Sequence, residues 1–374
     1  MSKEPDLMTA EEGYQPRQII STSNERPFIS VVIDGFMRKE FIIEAVNSVR
    51  NQDLNENAFE LIVLRAFDDI ELDKQLTQNK AKIIDIKAMS IGEAIAFAVE
   101  KSIGEVICFL DDDDMFMPSK LSKIESIFSS NPDLVYCHNS QVYCDENSNL
   151  VSGFKMKGIK NIDISFTNRG LKSALKHLRS SKINPGSLYF NFSSISVRRK
   201  VLLSKLSVIK KITGHTDNLV FFLALSTEKE VRLLNISDAL TVYRIHNSAT
   251  NIVQRVPNIV VREFRIKQLS DYVHSSRIIS EIMQEPEGHT LAVSFLTYDN
   301  TSLYNVKKEY KKLIMETVKL LTKGYLKKIE CNLNKRMIIY TSFFSFALFY
   351  ALSKRFPFLW KLSFVFPEVE SFKQ

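Results

Sequence analysis

Residues 90–116 read SIGEAIAFAVEKSIGEVICFLDDDDMF, an amphipathic segment, then an uninterrupted apolar run, then four consecutive carboxylates. Apolar spacing over 90–103 predicts a helix, and the run EVICFL predicts a strand buried on both faces. Two like charges about 4 Å apart repel by about 1 kcal/mol in water and about 4 kcal/mol at an effective dielectric of 20. Four adjacent carboxylates therefore call for a positive partner, unless they form only a solvated acidic turn. The neighbouring elements decide between these readings.

Upstream, PFISVVIDGF (27–36) is a β-branched run ended by Asp-Gly. RKEFIIEAVNSVRNQ follows and places Phe41, Ile42, Ala45, Val46 and Val49 at helical spacing. FELIVLRAFDD (59–69) and AKIIDI (81–86) repeat the strand signal. Strands apolar on both faces that alternate with helices predict an α/β fold with a mostly parallel, Rossmann-like sheet flanked by helices. Ligands of such sheets bind beyond the carboxyl ends of the strands. Asp34, Asp68, Asp69 and Asp111 to Asp114 all follow apolar strands, which predicts an acidic rim on one sheet edge. Hard oxygen donors without nearby cysteine suit Mg²⁺ or Mn²⁺, whose shells are often completed by water and substrate phosphate. Neither GxxxxGK[ST] nor GxGxxG occurs, so the predicted site is a nucleotide site without a P-loop.

The segments SVVIDGFMRKEFIIEAVNSVRNQ, FELIVL, IGEVICFLDDDDMFMPSKL, TGHTDNLVFFLAL and YRIHNSATN stand in the order seen in glycosyltransferase family 2, and residues 28–250 resemble that family. The resemblance implies a GT-A fold and an inverting transfer of a sugar from a nucleotide-diphosphate sugar donor to a hydroxyl of a glycan or lipid-linked acceptor. Asp111 and Asp113 match the family's DxD signature, and His246 matches a histidine that completes the metal shell or touches the diphosphate. Asp112 is placed to reach the ribose. The resemblance further puts Asp34, Phe36, Asp69 and Lys87 at the nucleotide sugar, Phe36 stacking on the base and Lys87 near phosphate. Asp217 matches the general base. The plain alternatives are a helix N-cap for Asp217, a core ring for Phe36, a solvated surface cation for Lys87 and a hydrogen-bonded surface residue for His246.

The chain departs from the family pattern in places. Asp34-Gly35-Phe36 stands where the family has Pro-Thr-Tyr, the acids after FELIVL arrive only at Asp68 and Asp69, and Thr216 replaces a Glu. Two other readings therefore stay open, a catalytically silent GT-A scaffold at a membrane and a sugar nucleotidyltransferase. The second would need a basic, Gly-rich loop that DGFMRK supplies poorly.

With 374 residues, 45% of them hydrophobic, the chain can bury a large core, and 11 glycines with 10 prolines argue against a linker-rich one. Residues 1–26 are polar and lack a signal-peptide core, predicting a frayed tail and no secretion. Cys108, Cys137, Cys144 and Cys331 show no metal-type spacing, which predicts reduced thiols. A net charge of +7 does not require a nucleic-acid partner, and none is expected.

The predicted organisation is a catalytic domain over 27–250, a helical basic extension over 251–336 and an apolar, aromatic segment over 337–374. Residues 307–336 hold ten Lys or Arg against three Glu, followed by MIIYTSFFSFALFYALS (337–353). A helix of that length would span about 26 Å, slightly short of a hydrocarbon core of about 30 Å. With basic residues at both ends and Trp360 among phenylalanines, an interfacial helix hairpin is expected, on the inner, cytoplasmic face of the membrane. A helix packed on the catalytic domain is the plain alternative.

Overall fold

The β-branched runs form the strands that the pattern predicts. A computed structural model describes residues 26–35, 39–151, 161–166, 188–227, 231–246, 258–283 and 286–307, with 309, 312, 313, 315 and 316. Phe36, most of the polar tail and the segment 337–374 lie outside them.

The first half alternates as expected: β1 (Ile29–Gly35), α1 (Ile42–Arg50), β2 (Phe59–Arg65), α2 (Ile70–Gln78), β3 (Lys82–Asp85), α3 (Ile91–Lys101), β4 (Val106–Asp111). Helix α3 opens on a capping box in which Ser90 and Glu93 satisfy each other's backbone N–H groups. After β4 come β5 (Met115–Phe116), α4 (Lys120–Ser130), β6 (Leu134–Cys144), β7 (Ile162–Phe166) and β8 (Ile195–Arg198). The short helices α5 (Arg199–Leu203) and α6 (Leu206–Ile209) lead to α7 (Thr216–Leu225), β9 (Val231–Arg244), α8 (Asn258–Ile282) and α9 (Pro286–Lys307).

The described strands form one sheet in the order β3-β2-β1-β4-β8-β6-β9-β5, with β7 also paired to β9. Strands β3, β2, β1 and β4 run parallel, so their carboxyl ends share one edge. Strand β8 runs antiparallel between β4 and β6, and β9 returns parallel to β6. The result is a mixed, mostly parallel sheet flanked by helices. Its register sets Asp34 opposite Asp111 and Gly35 opposite Arg65. A Cβ at Gly35 would lie 2.4 Å from the Leu64 carbonyl oxygen, so only glycine allows β1 to press this closely on β2 at the rim.

Strand alternation divides the core in two. Ile29, Val31 and Ile33 of β1 face one side with Val106, Cys108 and Leu110 of β4, against α1, α2 and α4. Val32 faces the other side with Ile107 and Phe109, against α3 and α7. Each fully buried side chain of this kind contributes about 1.5–3 kcal/mol of transfer free energy, which is why a one-residue register slip is not tolerated.

The helices beyond residue 250 join that second side. Ile279, Met283, Leu291, Ala292 and Phe295 belong to the same cluster as Phe221 and Phe222 of α7. The Phe295 ring meets Tyr189 and Phe222 edge-on, with centroids 5.7 and 5.9 Å apart. Among the described residues, no helix is long and apolar enough to cross a membrane.

Candidate functional site

Four acids leave the carboxyl end of β4, and the fold treats them differently. Asp111, Asp113 and Asp114 can each offer a carboxylate oxygen within 4.8 Å of the others, and Asp112 is buried beside them. Asp114 is tied into the protein. Its Oδ2 accepts from Ser193 Oγ (2.6 Å) and Asn191 Nδ2 (3.1 Å), and its Oδ1 accepts from the Arg244 backbone N–H (3.0 Å). Burial and then the charge of Asp113 push the Asp114 carboxyl up to about 7, against those hydrogen bonds. Behind it lies the buried Lys120, whose ammonium donates to the Ser193 carbonyl (2.5 Å) and Thr241 Oγ1 (3.2 Å) over the Phe116 ring. Burial brings Lys120 down to about 8, while Cys108, Cys137 and Asp114 act the other way.

Arg244, at the end of β9, locks the acidic turn. Its side chain is buried and its donors are directed inward. Nε donates to the Asp113 carbonyl (2.8 Å), Nη1 to Ser148 Oγ (3.0 Å) and the Glu146 carbonyl (3.2 Å), and Nη2 to Glu44 Oε2 of α1 (2.8 Å). The guanidinium also lies over the Phe41 ring, 4.5 Å from its centroid. Two residues on, His246 is 3% exposed, with Nε2 2.9 Å from Asp113 Oδ2 and its ring edge-on to Phe41. The structure thus brings the predicted Asp111, Asp113 and His246 together. Three carboxylate oxygens able to gather within 4.8 Å form a hard donor set that fits a divalent cation, with the His246 imidazole held against Asp113.

The rim at β2 and β3 is a separate group. Arg65, the last residue of β2, is 8% exposed and gathers Asp68 (3.2 Å), Asp73 (3.2 Å) and Asp85 (3.5 Å). Lys87 pairs with Asp68 and Asp85. The hydrogen bonds from Lys87 and then Arg65 hold the Asp68 carboxyl below the usual range, and the Asp68 bond does most to raise Lys87. Asp69 caps α2, accepting from the Leu72 N–H (3.0 Å), and its other oxygen pairs with Lys39 (3.0 Å). The acidic rim read from the sequence is therefore largely neutralised here by Arg65, Lys87 and Lys39. Asp34 stands between the two groups, in register with Asp111.

Asp217 lies in the first turn of α7. The N-cap of that helix is His215, and Asp217 Oδ1 accepts from the adjacent Asn218 N–H (2.8 Å) instead of reaching on to a later turn residue as a cap does. Burial raises the Asp217 pKa, opposed first by the charge of His215, with Asp299 adding to the rise. His215 and Asp299, which come close together here, were not among the residues singled out by the sequence reading, nor was Glu44.

A protein-family model described as Glycosyl transferase family 2 matches residues 30–206. The O-antigen biosynthesis glycosyltransferase WbnJ of Escherichia coli is 23% identical over 228 residues, covering 59% of this chain and 81% of that protein. The uncharacterized glycosyltransferase MJ1057 of Methanocaldococcus jannaschii is 29% identical over 143 residues, covering 36% of this chain and 49% of that protein. Among solved structures, S. aureus TarS 1-349 in complex with UDP-GlcNAc superposes with a TM-score of 0.48 at 15% identity, covering 80% of this chain and 88% of that one. The mannosyltransferase PcManGT from Pyrobaculum calidifontis, in complex with GDP-Man and Mn²⁺, superposes at 0.45 and 13%, covering 80% and 82%.

Proposed function

We propose that this chain, whose residues 30–206 match Glycosyl transferase family 2, is a metal-dependent, inverting enzyme of that family. The donor is a nucleotide-diphosphate sugar, and the acceptor is a hydroxyl of a glycan or lipid-linked glycan. The observation that carries this reading is the cluster of Asp111, Asp113 and Asp114 with His246 at the carboxyl edge of the sheet.

In this reading Asp111, Asp113 and His246 hold Mg²⁺ or Mn²⁺, and Asp114 anchors the turn through Ser193, Asn191 and Arg244. When bound, the ion supplies positive charge to the donor diphosphate as the leaving group departs. Arg244, Glu44 and Lys120 keep the four acids in place despite their mutual repulsion. Asp112, Asp34, Phe36, Asp69 and Lys87 are assigned to the nucleotide sugar. Asp217 takes the proton from the acceptor hydroxyl as that oxygen attacks the anomeric carbon from the face opposite the diphosphate, which inverts the centre. A polysaccharide or lipid-linked acceptor is supported by the glycan-directed relative and by the basic run 307–336 ahead of the apolar segment. That charge order also favours work at the inner face of the cell membrane.

Calorimetric titration with UDP, GDP and their sugar conjugates, with and without Mn²⁺, tests the proposal. Metal-dependent binding of one nucleotide, lost in Asp113→Asn, is expected. No binding of any of them would overturn it in favour of a silent scaffold.

A further inference from the structure

Helices α8 and α9 deliver side chains to the start of α7. Asp299 of α9 is 5% exposed, with Oδ2 3.3 Å from His215 Nε2, and it accepts a hydrogen bond from Ser276 Oγ of α8 (2.5 Å). Tyr272 of α8 stacks on the imidazole, with centroids 3.8 Å apart and planes at 26°. Ser275 Oγ accepts from the backbone N–H groups of Thr213 (3.2 Å) and Gly214 (3.0 Å). His215 itself has left-handed backbone angles, φ 55 and ψ 45, directly before the helix that carries Asp217. A residue with a Cβ holds that conformation only where its surroundings over-determine it, and here an ion pair, a ring stack and two backbone hydrogen bonds do so.

We propose that His215, clamped by Asp299 and Tyr272, is a positioning residue for Asp217: it fixes the first turn of α7 and presents an imidazolium to the carboxylate. The C-terminal helix pair then belongs to the transfer machinery. This rests on the reading of Asp217 as the base. A half-buried carboxylate that also feels Asp299 would hold its proton too firmly to accept another, and a neighbouring cation restores the ionised form. The imidazole touches Asp299 on α9 and Tyr272 on α8, whose hydroxyl is pushed up to about 12 by burial and stays neutral, and Asp217 two residues on acts on it through its charge. Arg265 acts on Tyr272, and Asp217 on Tyr136 of β6, through charge. Burial alone would lower the His215 pKa, but Asp299, then Asp217, outweigh it and hold it above the ordinary value.

The test uses the full chain and four proteins: wild type, H215N, D299N and D217N. Asparagine tolerates the left-handed backbone, so H215N removes the cation and keeps the turn. Nucleoside diphosphate release from a panel of UDP- and GDP-sugars with Mn²⁺ is followed from pH 5 to 9, and histidine imidazoles are titrated by NMR. H215N is expected to lower kcat about tenfold or more with the donor KM within about twofold, and to move the acid limb of the kcat profile to higher pH. In D299N the His215 imidazole titrates at least about one pH unit lower, and the alkaline limb of kcat follows it. An H215N profile that superimposes on wild type overturns the proposal, as does an imidazole unmoved by D299N. A D217N enzyme at full rate instead removes the premise, and that failure shows in its own assay. Should D299N not fold, H215N alone decides.

Discussion

His246 Nε2 lies 2.9 Å from Asp113 Oδ2, joining the end of β9 to the turn after β4 across 133 positions of sequence. An imidazole held against one carboxylate of an acidic cluster either shares the cation with it or orients it. Asp113→Asn is expected to weaken Mn²⁺-dependent nucleotide binding by more than about 100-fold, and His246→Gln by about 10–100-fold, the range seen when a ligand loses its support. Calorimetry with UDP and GDP, with and without Mn²⁺, measures both. Undiminished binding in Asp113→Asn would pass the ligand role to Asp111 and Asp114.

Arg244 is a structural lock. Its donors reach the Asp113 carbonyl, the loop at Glu146 and Ser148, and Glu44 of α1, so no free fork is turned towards a substrate phosphate. Glu44 is 44% exposed and regains water when the guanidinium goes, so the cost falls on the carbonyls of Asp113 and Glu146, left without their donor at about 1–3 kcal/mol each. Arg244→Met is expected to lose that much in urea unfolding. A loss under about 1 kcal/mol would show that the turn holds itself together without the guanidinium.

His138 gives the fold a dependence on pH unrelated to catalysis. Its Nε2 lies 2.8 Å from the Phe190 carbonyl and its Nδ1 2.8 Å from the Asn235 side chain. Burial brings its pKa from 6.5 down to about 4, so the ring is neutral. The Asn235 atom at Nδ1 is Oδ1, so both ring nitrogens face acceptors and the neutral ring can give its single N–H to only one of them. Between the two pKa values the unfolded chain binds more protons than the folded one. The stabilisation is therefore full above pH 6.5 and is lost as pH falls through 4, at most about 3 kcal/mol. Chemical unfolding measured across that window should show a shallower slope for His138→Gln than for wild type. Equal slopes would mean that the ring is already charged in the fold.

The sheet could be read from sequence because β-branched runs with apolar residues on both faces leave few alternatives to a parallel, helix-covered arrangement. Acids placed after such strands must then meet at one edge, where Asp34 and Asp111 stand in register with Asp113 close by. Pairing among charges is a different matter. Arg65, which no motif in the sequence marks, gathers Asp68, Asp73 and Asp85. The Arg244–Glu44 pair spans 200 positions, and Asp299 reaches His215 from the last described long helix. Local period carries no trace of such contacts, since they depend on how finished elements dock. Motif order points to Asp217, and in the structure it lies in the first turn of α7 with His215 at the N-cap.

Asp217→Asn separates chemistry from binding. The carboxylate sits at the start of α7, outside the acidic cluster that gathers at the end of β4. In the proposed mechanism its work is done on the acceptor hydroxyl, so the donor and the divalent cation should bind as in wild type. The amide is nearly isosteric and can still accept from the Asn218 N–H through its carbonyl, so the helix start should survive. Loss of a general base typically costs about 10²–10⁴ in rate. Single-turnover transfer should fall by that factor while the calorimetric affinity for nucleotide with Mn²⁺ stays within about twofold. A fall in both would make Asp217 part of the donor site, because a group that acts only on the acceptor cannot weaken donor affinity measured without acceptor. An unchanged rate would leave the acceptor proton to another base, and the raised pKa of Asp217 would then reflect its burial at the junction with α8 and α9 and nothing more.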